Sequence, residues 1–426
     1  MTSEVARAEV DRPASLRARI EVWLKHIKAL AEDIGYRLPG SEGEARAADY
    51  CRRVLTDLGL EARVEEFPSI GSVFRPHLTA ALLMLAAFVL YPLRRPAGAW
   101  AALVLTVFAV WSEIMEITLR PHPLQKALPK RVSRNVFAVV GPARRDGGPA
   151  SAAAPLSPRD IVVIGHMDSQ RTPVIFSSPA WMAAYRVYST LAFVSFVAQA
   201  ALYLGGVIAG WTWAWPVSAV SALMAVLLVA LTVQAELSPS THGANDNATA
   251  AGLVLTLAED LVREPLPHSR VWLLCSGSEE SLHEGAKSFF ARHKGEMTEP
   301  RAVALEMLGC AGPAWLKREG FVLPLPSDAG LQRLARRVAE ANPDLGAHAA
   351  VVAGGVTEMS DAILAGVPAI TVAGLGPDNV APYWHRPSDT VDKMDAAPGG
   401  AMERNYRFVR ALLAAMDADR PGPATA

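Results

Sequence analysis

Ile161-Val162-Val163-Ile164-Gly165-His166-Met167-Asp168 is the stretch that decides the fold. Its first four residues are apolar and β-branched, which is typical of a short strand buried on both faces of a parallel sheet. An imidazole and a carboxylate follow at once. In an open α/β sheet, ligands bind at the carboxyl ends of the strands. His166 and Asp168 therefore lie where a binding site is expected.

Acidic groups follow two further strand-like runs. Glu279 and Glu280 come just after residues 271–275, and Glu306 lies at the end of residues 302–307. Because the carboxyl ends of parallel strands meet at one edge of a sheet, we expect these side chains and His166 to share that edge. Two more segments carry similar groups, Gly243-Ala244-Asn245-Asp246-Asn247 and Trp384-His385-Arg386-Pro387-Ser388-Asp389-Thr390.

The pattern between these segments predicts the fold class. Helices are predicted over residues 249–263, 328–341 and 400–417, and strands over residues 135–140, 349–352 and 369–372. Strands that alternate with helices indicate an α/β fold with a doubly wound, mostly parallel sheet.

Two imidazoles and three carboxylates suit zinc in a mixed nitrogen and oxygen shell. A pair of zinc ions needs one shared ligand and two more for each ion, and this donor set supplies that number: His166, Asp246, Glu280, Glu306 and His385. Asp168 is placed to accept the second N–H of His166. Glu279 is a further carboxylate that can take a proton from a metal-bound water.

Taken in order along the chain, these segments resemble peptidase family M28, a family of zinc aminopeptidases. The resemblance covers roughly residues 16–417, apart from the apolar insertions described below. It implies a zinc exopeptidase-like fold and two Zn²⁺ ions per chain, with Asp246 bridging them. His166 and Glu306 would complete the first site, and Glu280 and His385 the second.

The resemblance also implies roles for the remaining acids. Glu279 would be the general base and Asp168 the carboxylate that orients His166. A metal-bound hydroxide would attack the carbonyl carbon of a peptide substrate and release its N-terminal residue. Many family members have Asp where this chain has Glu306, and the longer side chain can still ligate.

Each segment alone has a simpler interpretation. A single His-x-Asp is usually a surface pair, adjacent acids are common at a solvated helix start, and Asn-Asp-Asn is typical of a helix cap. Their joint occurrence in order favours the metal site. We interpret His242, His268, His283 and His293 as surface or turn residues.

Apolar runs interrupt the α/β pattern twice. Residues 187–210 and 211–235 are two long uncharged runs, and residues 78–93 and 97–111 form a shorter pair. A spanning helix needs about 20 apolar residues, which the second pair has and the first approaches. Buried core helices are the alternative for the first pair. We predict a single catalytic domain over residues 1–426 with two inserted hydrophobic hairpins, at residues 78–114 and 187–235, both of them transmembrane.

The charge and composition of the chain restrict its cellular location and the classes of partner that it can bind. The 51% hydrophobic and 19% charged residues suit a multi-pass membrane protein. Basic residues flank the hairpins on the catalytic side, against Arg94 and Arg95 at a hairpin tip, which favours a cytoplasmic catalytic domain. Met1–Pro13 lacks the apolar segment of a secretory signal. A net charge of −1 indicates no nucleic-acid partner, and three dispersed cysteines indicate no disulfide framework.

The leading hypothesis is an integral membrane di-zinc aminopeptidase, with a peptide substrate and membrane lipid as its partners. Two alternatives stay open. One is a one-zinc acyl-transfer enzyme of the glutaminyl cyclase type, and the other is a non-catalytic membrane receptor on the same fold. The sequence does not give the oligomeric state.

Overall fold

The computed structural model describes residues 13–93, 96–143, 158–320, 324–352 and 354–419. Residues 1–12, Arg94 and Arg95 lie outside the described residues, and so do the predictions made for them. The described part contains these α-helices: α1 (Pro13–Lys28), α2 (Glu42–Asp57), α3 (Phe74–Leu90), α4 (Ala97–Ile117), α5 (Pro123–Ala127), α6 (Pro179–Ile208), α7 (Ala214–Val217), α8 (Ala219–Leu237), α9 (Thr249–Arg263), α10 (Glu284–His293), α11 (Ala329–Ala341), α12 (Glu358–Leu364) and α13 (Ala401–Ala418).

The same residues form one sheet of nine strands: β1 (Arg63–Ser69), β2 (Arg131–Val140), β3 (Arg159–His166), β4 (Ser269–Ser276), β5 (Arg301–Glu306), β6 (Pro313–Glu319), β7 (Leu325–Pro326), β8 (His348–Val351) and β9 (Ala369–Gly374). The strand order is β1-β2-β4-β3-β5-β9-β6-β7, with β8 paired to β6. The predicted fold class is confirmed, with a mixed sheet in detail. The central strands β4, β3, β5 and β9 are parallel, whereas β1, β2, β6 and β7 add antiparallel pairs.

The central strands are apolar on both faces because helices cover both. In β3, Ile161 and Val163 pack into a core with α1, α2, α9 and α13, while Val162 and Ile164 pack into a second core with α10 and α12. This alternation explains why the strand reads as one continuous apolar run. It also leaves the carboxyl end of the strand as the place where polar side chains emerge.

The chain divides into two compact units. The α/β unit consists of the chain up to Gly71, Arg131–Gln170 and the chain from Thr241 onward, and the helical unit consists of Ser72–Lys130 and Arg171–Ser240. The α/β unit contains the whole sheet.

Four long helices build the helical unit. Helix α3 packs against α4 and α8, and α6 packs against the same two helices. Small buried residues line these contacts, among them Ala81, Ala102 and Ala225, and such residues let helix backbones approach closely in membranes. Large apolar side chains point outward instead, with Leu191 56% and Val220 61% exposed.

Three helical segments in the described part of the chain are long and apolar enough to cross a membrane: Ala97–Ile117, Pro179–Ile208 and Ala214–Leu237. Helix α3 has 17 residues, or about 25 Å at 1.5 Å per residue, against a hydrocarbon core of roughly 30 Å. Helix α4 continues past the predicted end at residue 111 and takes in Glu113 and Glu116. Glu113 Oε2 lies 2.9 Å from His77 Nδ1, and Glu116 pairs with His122.

Candidate metal centre

The sheet places the predicted donors at one edge. His166 is the last residue of β3 and Glu306 the last residue of β5. These two strands are parallel, with Ile164 opposite Ala304, so their carboxyl ends meet. On the other side of β3, His166 lies opposite Ser276 of β4. The chain then turns within three residues into the single helical turn that carries Glu279 and Glu280.

Two loops bring the remaining donors to this edge. Asp246 lies in the turn at Ala244–Ala248, directly before α9. His385 lies in the loop after β9, in the left-handed region with a φ of +50°. All five predicted metal-binding residues are therefore placed together, although the first and the last, His166 and His385, are 219 positions apart in the sequence.

The donors form two overlapping groups that share Asp246. In the first, His166 Nε2 lies 3.5 Å from Asp246 Oδ1 and 3.6 Å from Glu306 Oε1. In the second, His385 Nε2 lies 3.1 Å from Asp246 Oδ2 and 3.2 Å from Glu280 Oε1. Each group offers three ligand atoms within 4.8 Å of one another, and so does a third group, which consists of His166, Glu279 and Glu280. Asp246 thus presents one oxygen to each histidine.

The donor set fits a divalent cation. His166 Nε2 and Glu306 Oε2 are buried and have no hydrogen-bond partner. A buried polar atom without a partner destabilises the folded protein. Imidazole nitrogen with carboxylate oxygen is a usual zinc shell. A cation between these atoms would satisfy both.

Electrostatics at the centre favour positive charge. Burial opposes the charged form of His385, yet the adjacent Glu280 carboxylate and the contacts with Asp246 raise its pKa to about 10. Burial also opposes charge on His166, but the negative charge of Glu279 and the nearby carboxylates of Asp168, Asp246 and Glu306 raise its pKa well above the ordinary value. Burial raises the pKa of Glu280 to about 7. Crowded carboxylates in a buried place hold protons or cations tightly.

Asp168 connects His166 to the loop that carries both glutamates. Its Oδ1 lies 3.4 Å from His166 Nδ1, and the backbone oxygen of Asp168 lies 3.2 Å from the same nitrogen. Its carboxylate also accepts the backbone N–H of Glu279 at 3.2 Å and of Glu280 at 3.0 Å. This second contact was not anticipated from the sequence.

The predicted base, Glu279, faces two histidines. Its Oε2 lies 3.7 Å from His166 Nε2, and its Oε1 lies 3.1 Å from His283 Nε2. The interpretation of His283 as a surface or turn residue was wrong, because its side chain is buried between Glu279 and Asp361. Although burial alone would raise the pKa of Glu279, the charges of His166 and His283 lower it below the ordinary value.

Amide and carboxyl groups around Asp246 fix its loop. Asp389, which lies four residues after His385, accepts the backbone N–H of Asn245 at 2.6 Å and of Asp246 at 3.0 Å. The Asn247 side chain accepts the backbone N–H of Met307, next to Glu306, at 3.1 Å. Hydrogen bonds therefore connect the Asp246 turn to the loop that carries His385 and to the strand end that carries Glu306.

Arg37 is a buried residue of the site that sequence reasoning missed. Its guanidinium donates to five backbone carbonyls, those of Leu30, Gly35, Met167, His242 and Gly243, at 2.7–2.8 Å. Two of these carbonyls adjoin metal-centre segments, one next to His166 and the other three residues before Asp246. Burial lowers the pKa of Arg37 to about 10.

Gly243 makes the close approach of these segments possible. It has a φ of +58°, and a Cβ there would lie 2.5 Å from the Asp246 carbonyl oxygen and 2.6 Å from Ser169 Cβ. A side chain at this position would displace the turn that carries Asp246. The Gly in the quoted segment is the signal that the sequence offered.

Glu44 is the second residue that was missed. Its Oε1 accepts the backbone N–H of Ser278 and the hydroxyl of Ser133, both at 2.8 Å. Burial raises the pKa of Glu44 to about 8. From helix α2, Glu44 thus fixes the loop that precedes Glu279. The sequence does not indicate this contact, because a single Glu in an amphipathic helix is usually exposed.

A parallel sheet edge that gathers two imidazoles and several carboxylates defines the class of zinc exopeptidase-like folds. Solved structures bear this out. The chain is similar to a glutaminyl cyclase from Tannerella forsythia (TM-score 0.53, 13% identity, covering 94% of this chain and 99% of that one). It is also similar to BSAP, a zinc aminopeptidase from Bacillus subtilis (0.52, 12%, 92% and 94%), and to an aminopeptidase from Aneurinibacillus sp. strain AM-1 (0.53, 14%, 96% and 96%).

Sequence comparison is more specific about the family. Residues 228–409 match the model of peptidase family M28. The predicted resemblance is confirmed. The match includes Asp246, Glu280, Glu306 and His385, whereas His166 lies before it. Comparison with curated proteins gave no match.

Proposed function

We propose that the protein is an integral membrane di-zinc metallopeptidase that removes N-terminal residues from peptides. One observation carries this proposal: Asp246 belongs to both donor groups, with one oxygen toward His166 and the other toward His385. A shared carboxylate between two three-donor groups is the arrangement that a pair of divalent cations requires. The names of the similar aminopeptidase structures support the reaction type.

Charge balance supports two cations over one. Five carboxylates meet at the centre, those of Asp168, Asp246, Glu279, Glu280 and Glu306, all of them buried. Two divalent cations neutralise four of these five negative charges, whereas one cation neutralises two. Uncompensated buried charge is expensive. His166, Asp246 and Glu306 would hold one zinc, and Asp246, Glu280 and His385 the other.

Bound zinc would supply a Lewis acid that acidifies water and stabilises negative charge on the carbonyl oxygen of the substrate. Glu279 accepts a proton from the attacking water and later gives that proton to the departing amine. Its low pKa keeps the carboxylate ionised and able to accept. Asp168 orients His166 from Nδ1 and holds the Glu279 backbone in place.

The domain organisation is part of the proposal. We take the α/β unit as the catalytic domain and the two inserted segments, 78–114 and 187–235, as membrane hairpins. The outward apolar side chains of α6 and α8 support this, since lipid is the solvent that such a surface suits. Basic residues near the helix ends, such as Arg75, Arg120 and Arg186, favour a cytoplasmic catalytic domain.

The central experiment compares Glu279→Gln with the wild type, purified in detergent, on a panel of aminoacyl amides. The variant should keep both zinc ions and lose at least about 100-fold in kcat, because general base catalysis contributes roughly that much. Glu340→Gln, an exposed carboxylate on α11, is the matched control. If the two variants behave alike and the wild type turns over no substrate, a receptor on this fold is the better reading.

A glutaminyl cyclase is the second candidate, because structures with that name share the fold equally well. The two activities differ in stoichiometry and product. The peptidase binds two zinc ions and releases a free amino acid, whereas the cyclase reaction converts an N-terminal glutamine into a cyclic product with loss of ammonia. One zinc per chain together with ammonia release would decide for the cyclase.

Membrane orientation has its own test. A reporter fused after Ala426 should behave as a cytoplasmic one, while the protein remains in the membrane fraction after alkaline carbonate treatment. An exported reporter would reverse the orientation, and release by carbonate would contradict the membrane hairpins.

A further inference from the structure

A third histidine stands behind the proposed base. His283 Nε2 lies 3.1 Å from Glu279 Oε1, and His283 Nδ1 lies 2.7 Å from Asp361 Oδ2. The histidine is 4% exposed and Asp361 is 3% exposed. The three side chains therefore form a buried row, in the order glutamate, imidazole, aspartate.

Both ring nitrogens of His283 lie within 3.1 Å of a carboxylate oxygen, an arrangement that suits a ring with a donor at each nitrogen. Only the imidazolium form carries two N–H donors. Although burial opposes its charge, Asp361 and Glu279 raise the pKa of His283 well above the ordinary value. Such charge-assisted hydrogen bonds are stronger and shorter than neutral ones, and they restrict the orientation of both partners.

The backbone around this row is held in an unfavourable conformation. Ser278, Leu282 and His283 have φ values of +52°, +72° and +53°, although none of them is glycine. Non-glycine residues in the left-handed region cluster at functional sites, where surrounding contacts over-determine them. Here the conformation brings the His283 ring next to the side chain of Glu279, which lies four residues earlier in the chain.

The two oxygens of Glu279 are thereby given different surroundings. Oε1 is bonded to His283, and Oε2 lies on the side of His166. We propose that His283, clamped by Asp361, is a positioning residue that holds Glu279 so that its second oxygen faces the reacting water. This rests on the proposed function, since it assigns a partner to the base of that reaction.

Three substitutions separate the two hydrogen bonds. In His283→Gln the amide nitrogen can stand near the position of Nε2 and donate to Glu279. In His283→Asn it can stand near Nδ1 and donate to Asp361 only. In His283→Leu neither bond remains. We expect kcat to fall by less than about 10-fold in the first and by about 10–100-fold in the other two, as for other partners that orient a reacting group, with KM changed less than about twofold.

Asp361→Asn and His268→Gln complete the set. Asn at 361 still accepts from His283 Nδ1 through its oxygen, so kcat should fall by less than in His283→Leu. His268→Gln alters a histidine outside the row and should match the wild type. Zinc content and the unfolding temperature of chelated protein are measured for every variant, so that loss of metal or of folding is seen directly.

A double substitution decides whether His283 acts through Glu279. If it does, Glu279→Gln/His283→Leu has the same kcat as Glu279→Gln alone, because residues that act as a unit are non-additive. A full further loss in the double variant, or equal kcat in His283→Gln and His283→Asn, would overturn the proposal. If His283→Leu does not fold, the comparison of Gln with Asn still decides. Failure of the proposed function is separate, because Glu279→Gln would then have no effect.

Discussion

Replacing Glu319 by Gln should make the protein more stable at pH 8 than the wild type, but not at pH 4. Glu319 ends β6 and is fully buried. Its Oε1 accepts the Thr357 backbone N–H at 3.0 Å and the Ser360 hydroxyl at 2.5 Å, and its Oε2 accepts the Thr357 hydroxyl at 2.9 Å. These contacts anchor the start of α12, the helix that carries Asp361.

Gln fits this place in shape and in hydrogen bonding. Its oxygen can keep the two donors at the Oε1 position. Its amide nitrogen can donate to the Thr357 hydroxyl, which lies 2.6 Å from the Thr371 hydroxyl and can turn to donate there instead. The substitution therefore removes a buried charge and keeps a hydrogen bond for each of the three groups that Glu319 contacts.

The size of the effect follows from the pKa. Burial raises the pKa of Glu319 from 4.5 to about 7, so the folded protein holds this proton more tightly than the unfolded chain. The resulting stability is complete below pH 4.5 and is lost as pH rises through 7. At about 1.4 kcal/mol per pH unit, the loss is about 3 kcal/mol, and the Gln variant does not suffer it.

Thermal unfolding of both proteins from pH 4 to pH 8 measures this, with chelator present so that pH-dependent metal binding is absent from both. The unfolding temperature of the variant minus that of the wild type should grow by roughly 3–5 °C across the range. Glu340→Gln controls for loss of a surface carboxylate. A difference that stays constant with pH would refute the assignment of a buried proton to Glu319.

Three further predictions concern the metal centre and the helical unit. In Arg37→Lys, three N–H donors replace the guanidinium that serves five carbonyls. The free energy of unfolding, measured with denaturant, should fall by about 2–4 kcal/mol, and less zinc should remain bound. Unchanged zinc content would contradict the role of Arg37. Chelation should lower the unfolding temperature of the wild type more than that of His385→Gln, which lacks a ligand of one ion, and equal shifts would argue against two ions. Leu223→Lys places a charge on the outward face of α8 at about 3 kcal/mol, so less protein should resist carbonate extraction than in Leu223→Ala.

The edge of the sheet was predictable because of how parallel strands are arranged. His166 and Glu306 each end an apolar run, and parallel strands bring such ends together whatever their separation along the chain. The order of polar groups after each run was therefore enough to place them near one another. The turn with Asp246 and the loop with His385 needed the resemblance, since neither follows a strand directly.

The surroundings of the donors were not predictable, for a physical reason. Arg37 acts through backbone carbonyls, which every residue has, so no side-chain pattern marks its partners at Met167 and Gly243. His283 was misread because its burial depends on Asp361, 78 residues later. Long-range contacts of this kind leave no periodicity in the sequence.

The limits of the apolar runs were misjudged in a consistent way. Counting uncharged residues ends a run at its first charge, whereas a helix continues as long as its backbone hydrogen bonds do. Helix α6 thus begins at Pro179, eight residues before the predicted start, and includes Arg186. Helix α4 likewise continues to Ile117, because Glu113 and Glu116 find histidine partners.

The strand order has a consequence for biosynthesis. Strand β2 is made between the two segments of the helical unit, yet its neighbours in the sheet are β1, from before the first segment, and β4, from after the second. The centre of the sheet therefore cannot be completed until both segments have left the ribosome, and β2 exposes an unpaired apolar edge in the meantime. Such an intermediate is prone to aggregation, so slow folding of the helical unit would be seen first as misfolding of the α/β unit.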